Sequence, residues 1–189
     1  MSFDSSFWTQ KYEAGNLGWD IGYAAPALTY YFDQLRNQQL KILIPGCGNA
    51  YEARYLMEAG FTDVHILDIS PFPVEALKNA FYPQYEDRLH LYHENFFDHQ
   101  GQYDLIIEQT FFCALPPEDR DAYTRKMHEL LKPGGHLVGV MFTFPFSENG
   151  PPFGGDMSEY RERFAKYFQI RTLESCTNSI EPRMGNECF

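Results

Sequence analysis

The chain has 189 residues, enough for one domain to bury roughly two-thirds of the surface its unfolded form exposes, so neither disulfides nor a metal is needed to hold a core. Lys and Arg number 15 against 26 Asp and Glu, and the net charge of -11 leaves no basic face for a phosphate backbone, which excludes nucleic acid as an expected partner. Aromatic residues (17 Phe, 13 Tyr, 2 Trp) make up 17% of the chain, more than core filling requires, within a hydrophilic average of mean hydropathy -0.43.

Residues 4 to 38 read as two helices broken between Gly15 and Pro26. Lys41 to Ile44 is a short apolar run of the kind found in strands buried on both faces. The turn Pro45-Gly46-Cys47-Gly48-Asn49 follows, and a helix is expected from Ala50 to Ala59, stopped by Gly60. Val64 to Asp68 is a second strand, and Pro71 and Pro73 open a helix with Val74, Leu77 and Phe81 on one face, ending at Pro83. Leu89 to Tyr92 is a weaker third strand and Tyr103 to Glu108 a fourth. A helix opened by Pro116-Pro117-Glu118-Asp119 carries Tyr123, Met127, Leu130 and Leu131, is stopped by Pro133-Gly134-Gly135, and gives way to a fifth strand over His136 to Phe142. Beyond a Pro-, Gly- and Phe-rich loop from Thr143 to Gly155, Asp156 and Glu159 form a capping box for a helix to Tyr167, and Phe168 to Cys176 reads as a sixth strand.

Alternating β and α segments predict an α/β, Rossmann-like, doubly wound and mostly parallel sheet. The whole chain is expected to be one domain, with residues 1–38 as an appended helical lid and 39–189 as the core. Cys47, Cys113, Cys176 and Cys188 are scattered without zinc-type spacing, so no metal site is expected. The start of the chain lacks a basic segment followed by an apolar one, and no run is long enough to span a bilayer. Free thiols then point to a reducing cytoplasm, and a monomer without membrane partners is expected.

In open α/β sheets ligands bind beyond the carboxyl ends of the strands, where strand order reverses. Gly46-Cys47-Gly48 is a G-x-G turn at that place, but Tyr51 stands where a dinucleotide-binding motif has its third glycine. Asp68 follows Gly46 by 22 residues, near the spacing at which a carboxylate takes both ribose hydroxyls. A nucleoside without pyrophosphate fits this pair better than NAD does, and S-adenosylmethionine is the obvious one. An NAD-dependent oxidoreductase and a non-catalytic S-adenosylmethionine sensor stand as alternatives.

These segments resemble the class I S-adenosylmethionine-dependent methyltransferases, and within them the thiopurine S-methyltransferase and thiol/halide methyltransferase group. The resemblance covers nearly the whole chain. Phe7-Trp8-Thr9-Gln10-Lys11-Tyr12 and Gly18-Trp19-Asp20-Ile21-Gly22 are similar to that group's lid, Leu43 to Ala50 to its first motif, Leu67-Asp68-Ile69-Ser70 to its ribose motif, and Asn95-Phe96-Phe97-Asp98 to its adenine-flanking one. Tyr103 to Leu115 resembles the thiol/halide branch, and Pro182 to Glu187 the start of the family's last strand. The resemblance implies a seven-stranded sheet with a short last strand. It implies that Trp8, Tyr12 and Trp19 close over the cofactor, that Gly46, with Cys47 and Gly48 beside it, borders the methionine moiety, that Asp68 and Ile69 hold the ribose, and that Asn95 and Phe96 border the adenine. A small-molecule acceptor would meet Trp19, Gln109, Phe112 and Phe153, Gln109 standing where thiopurine enzymes have an arginine.

Other roles stay open on the residues alone. Glu108 can bind the cofactor's ammonium, take a proton from a thiol, or cap a loop. One ring of each pair Phe96-Phe97 and Phe111-Phe112 belongs to the core, Cys113 is expected to be an inert buried thiol, and the loop from Thr143 to Gly155 is either a substrate cover or surface packing.

Overall fold

The computed structural model describes residues 3–147 and 150–189, so Met1, Ser2 and, within the expected 143–155 loop, Glu148 and Asn149 lie outside the described residues. In chain order the elements are α1 (Ser5–Glu13), α2 (Pro26–Phe32), β1 (Lys41–Pro45), α3 (Tyr51–Glu58), β2 (Asp63–Asp68), α4 (Pro71–Ala80) and α5 (Tyr82–Tyr85). They continue with β3 (Leu89–His93), β4 (Tyr103–Gln109), α6 (Arg120–Glu129), β5 (Leu131–Phe142), α7 (Met157–Phe164) and β6 (Glu187–Cys188).

One six-stranded sheet has the order β3-β2-β1-β4-β5-β6, parallel throughout except that β6 runs antiparallel to β5. The central strands β1, β2 and β4 are buried on both faces, which is why they read as apolar runs, whereas β3 and β5 are mostly half-buried. Ile42, Ile44, Leu105 and Ile107 pack on one side with Leu28, Phe32, Leu56 and Met57. Leu43, Leu67 and Ile106 pack on the other with Phe112, Tyr123 and Met127. Because β2 and β4 flank β1, the direction of winding reverses at β1, and a crevice opens beyond the carboxyl ends of these three strands.

Three expectations are corrected. The stretch 168–176 is not a strand: Ser175 makes a single antiparallel bridge with Cys188, flanked by backbone bonds between Glu174 and Phe189 and from Cys176 N–H to Glu187. Its would-be partner β6 is only two residues long, because a tight turn at Glu181–Arg183 and Gly185 with φ of 80° bring the chain to the sheet late. Among the described residues the sheet therefore has six strands, not seven. Next, Pro133-Gly134-Gly135 do not precede β5 but lie within it. They form an irregularity in which Tyr103 pairs with Leu131 and Leu105 already with His136. Finally, α7 stops at Phe164 rather than Tyr167. Asp156 caps its N-terminus by accepting from the N–H groups of Ser158 and Glu159, while the Glu159 carboxylate turns away to hold Arg120 and Arg163. Among the described residues no helix is long and apolar enough to cross a membrane.

Candidate active site

The turn after β1 is left-handed three times over, at Gly46 (φ 59°), Gly48 (φ 51°) and Ala50 (φ 52°). At Gly46 there is a second constraint: a Cβ would come within 2.9 Å of Phe111 Cγ, so the residue must be glycine for packing as well as for φ. Asp68 closes β2 beside it. Its Oδ2 accepts the Gly48 N–H (3.1 Å) and its Oδ1 the Ser70 N–H (2.9 Å). Burial raises its pKa, and these bonds offset the rise only in part.

These residues border a cleft of about 950 Å³ at the switch point, of the size small-molecule sites have. Ile69, Asn95 and Phe96 line it as well; Asn95 Oδ1 accepts the Phe97 N–H (2.9 Å), which fixes the turn after β3. Trp8, Tyr12 and Trp19 form its cover, with Trp19 edge-on to Trp8 (centroids 5.5 Å) and to Tyr12 (5.7 Å). Two polar ties hold the cover down. Asp20 accepts from Asn49 Nδ2, Tyr51 Oη (3.2 Å) and the Gly22 N–H (2.6 Å), and Thr9 Oγ1 meets Ser70 Oγ at 2.8 Å. Tyr51, the departure from the dinucleotide motif, thus anchors the lid.

The acceptor side differs from the sequence expectation. Gln109, Phe112 and Phe153 do not line the cleft. Gln109 faces a cavity of about 10 Å³ beside Ser179 on the far side of β4. Phe112 is core, against Tyr123, Tyr160 and Phe164. Phe153 is buried behind the wall, its N–H on the Cys113 carbonyl and its ring on Phe3 and Phe146. In their place stand Thr110, Phe111, Leu115, Phe142, Phe144 and Arg183. The chain leaves strand geometry at Thr110 (φ 55°) and turns Phe111, not Phe112, into the cleft, so one ring of this pair is core as alternation predicts.

Arg183 also lines the cleft, within the segment Pro182 to Glu187 whose residues the sequence gives no site role. Its Nη2 donates to the Trp19 carbonyl (2.6 Å), its Nη1 lies 3.4 Å from Glu187 Oε1, and its guanidinium sits over the Phe142 ring at 5.1 Å.

Glu108 stands outside the cleft, 3% exposed. One oxygen accepts the N–H groups of Phe111 (2.8 Å) and Phe112 (2.9 Å), and the other accepts from Tyr123 Oη. Burial raises its pKa despite these donors. Of the three roles open to it, loop capping matches this geometry: it ties down the turn that carries Phe111. Cys47 and Gly48 are also off the cleft wall: the Gly48 N–H is donated to Asp68 and its carbonyl lies 3.7 Å from Cys47 Sγ. Cys113 reaches the cleft, but burial pushes its thiol well up, so it stays protonated.

A doubly wound sheet with a glycine turn at its switch point, a carboxylate closing the next strand and an aromatic cover is the methyltransferase type of α/β fold. A solved 1,6-didemethyltoxoflavin-N1-methyltransferase from Burkholderia thailandensis shares it, with a TM-score of 0.75 at 17% identity over 97% of this chain and 83% of that one. The profile of the thiopurine S-methyltransferase family matches residues 3–188. A probable thiol methyltransferase 2 of Arabidopsis thaliana is 31% identical over 97% of this chain and 82% of the relative, and a thiocyanate methyltransferase 1 of Brassica oleracea 30% over 95% and 81%. The chain belongs to the thiopurine S-methyltransferase family and is an S-adenosylmethionine-dependent methyltransferase. The site fits that donor: the Asp68 carboxylate, held by one backbone N–H per oxygen, keeps lone pairs for two hydroxyls, and the cover offers aromatic faces to a sulfonium.

Proposed function

We propose that the enzyme methylates small, soft, anionic nucleophiles: a thiolate, bisulfide, thiocyanate, a halide, or a selenium or tellurium analogue. The observation that carries this is Arg183, a guanidinium at the cleft wall near the apolar side chains of Phe111, Phe142, Phe144 and Leu115, in a lining that also includes Lys11, Glu118 and Asp119. The names of the plant relatives point the same way. The arginine absent at Gln109 has a counterpart here in charge, though not in position.

S-adenosylmethionine supplies a methyl carbon bearing a good leaving sulfur, so an in-line attack forms the new bond while the old carbon–sulfur bond gives its electron pair to that sulfur. The chain's task is alignment, which by itself is worth several kcal/mol of barrier. In this reading Asp68 and Ile69 take the ribose, Asn95 and Phe96 the adenine, Gly46 the methionine end, and Trp8, Tyr12 and Trp19 close over the methyl. Arg183 draws the anion in, and the aromatic wall strips its water, which raises the ion's energy more than that of the charge-neutralising transition state if the desolvation account holds. An acceptor that arrives already ionised needs no proton acceptor, consistent with the placement of Glu108 and Cys113.

The decisive assay supplies labelled S-adenosylmethionine with iodide, thiocyanate, bisulfide, selenide or 6-mercaptopurine. Turnover of the small anions is expected to exceed that of the bulky heteroaromatic thiol. Binding of S-adenosylhomocysteine with no transfer to any sulfur, selenium or halide acceptor would sink the proposal.

A further inference from the structure

The parallel pairing of β2 with β3 sets His65 directly opposite His90. Their rings stack with centroids 4.3 Å apart and planes within 24°. Asp63, two residues before His65 and so on the same face of the sheet, sends one oxygen to both: Oδ1 lies 2.7 Å from His65 Nε2 and 3.3 Å from His90 Nε2. One donor atom from each of the three residues lies within 4.8 Å of the others. Sequence spacing does not show this group, because Asp63 and His65 lie on β2 and His90 on β3.

We propose that Asp63, His65 and His90 bind a borderline divalent transition-metal ion, Zn²⁺ in the first instance, that pins the edge strand β3 to β2. Three features favour a cation here over a plain hydrogen-bonded cluster. First, among the described residues no lysine or arginine pairs with Asp63; Lys41, its neighbour on β1, carries its ammonium over the Tyr103 ring instead. Among the described residues its ion-pair contacts are to the two imidazoles, with the Lys41 ammonium nearby but not in contact. Second, the ring of His65 is already oriented. It is 5% exposed, its Nδ1 is 3.0 Å from Tyr92 Oη, and Tyr103 stands edge-on to it at 5.1 Å. When Nε2 gives its lone pair to a metal, the ring proton resides on Nδ1 and is donated to the Tyr92 oxygen, the outer-shell bond that metal-ligating histidines usually make. Third, the site opens to solvent on one side, since the Asp63 and His90 side chains are 36% and 41% exposed.

Two imidazoles and one carboxylate suit Zn²⁺, Ni²⁺ or Cu²⁺ better than Mg²⁺ or Ca²⁺, and three protein donors leave a fourth tetrahedral position to water. Asp63 begins β2 and Asp68 ends it, so about 16 Å of strand separates the ion from the catalytic cleft. Its effect is therefore on the sheet edge and not on methyl transfer.

The test uses the full chain freed of metal with a chelator. Titration with ZnCl₂ followed by calorimetry is expected to show one ion per chain, a rise in Tm, and slower amide exchange over Leu89–His93. His90→Ala and Asp63→Asn should each weaken binding at least about 10-fold with unchanged circular dichroism. Because His65 lies in the core, it is left intact. Co²⁺ loaded in place of Zn²⁺ is expected to give visible bands without thiolate charge transfer. The proposal fails if no saturable binding occurs below about 1 mM, if both variants bind as the wild type does, or if the Co²⁺ spectrum shows sulfur ligation.

Discussion

Asp68 is a buried carboxylate with no ion-pair partner among the described residues, held by two backbone N–H groups at the rim of the cleft. Its raised pKa has a signed consequence. Only the ionised form accepts from two hydroxyls, so affinity for S-adenosylhomocysteine should fall on acidification, beginning above the ordinary aspartate value of 3.8. The free enzyme responds in the opposite sense through this group. A folded pKa above the unfolded one means that Asp68 costs stability at neutral pH, and that this cost is relieved as pH falls from the raised folded pKa toward 3.8. Asp68→Ala is expected to weaken cofactor binding about 10- to 100-fold by loss of charge-assisted hydrogen bonds. Calorimetry across the acid range checks both statements, and an Asp68→Ala dissociation constant equal to the wild type's would place the ribose elsewhere.

At the scale of elements, the contact between the turn after β1 and the turn after β4 decides the shape of the cleft. Phe111 packs on Gly46, edge-on to Phe96 (5.2 Å) and Tyr123 (5.8 Å), and Glu108 holds its turn from behind. Gly46→Ala places a Cβ into that ring at positive φ, a strain of about 1–2 kcal/mol before any displacement of Phe111, or roughly 2–8 °C in Tm for a chain of this size. Adding Phe111→Leu should restore part of the loss. A coupling below about 0.5 kcal/mol in the double-mutant cycle would show that the two turns are independent. Much of this was legible. Strand runs, the glycine turn and Asp68 follow from local pattern and from a spacing that the β-α-β unit fixes. What was not legible depends on partners distant in sequence. Phe168 to Cys176 alternates like a strand, yet a strand exists only if another runs beside it, and β6 offers two residues. The resemblance placed Gln109, Phe112 and Phe153 at the acceptor, but which side chain after β4 faces the cleft depends on the left-handed turn at Thr110, which a motif match does not show.

Across the whole molecule, the aromatic surplus divides between two uses. Phe32, Phe61, Tyr103, Tyr123 and Tyr160 fill the two layers of core, while Trp8, Tyr12, Trp19, Phe96, Phe111, Phe142 and Phe144 surround the cleft. The negative charge is chiefly a matter of solubility, and Arg183 is a local positive charge at the cleft wall, where the proposed function places the anion. That arginine also grips the carbonyl of Trp19, more than 160 residues away in the chain. That bond joins the C-terminal turn to the cover, so on the proposed function the two ligands of the reaction are expected to be thermodynamically linked. An anion that orders Arg183 orders the lid, and a cofactor that seats the lid orders Arg183. Linkage requires the effect to be reciprocal: whatever factor iodide or thiocyanate adds to the affinity for S-adenosylhomocysteine, S-adenosylhomocysteine adds to theirs. Arg183→Leu should bring that factor, read by calorimetry with each ligand in turn, close to one, and synergy left intact would mean that the lid closes without the tether.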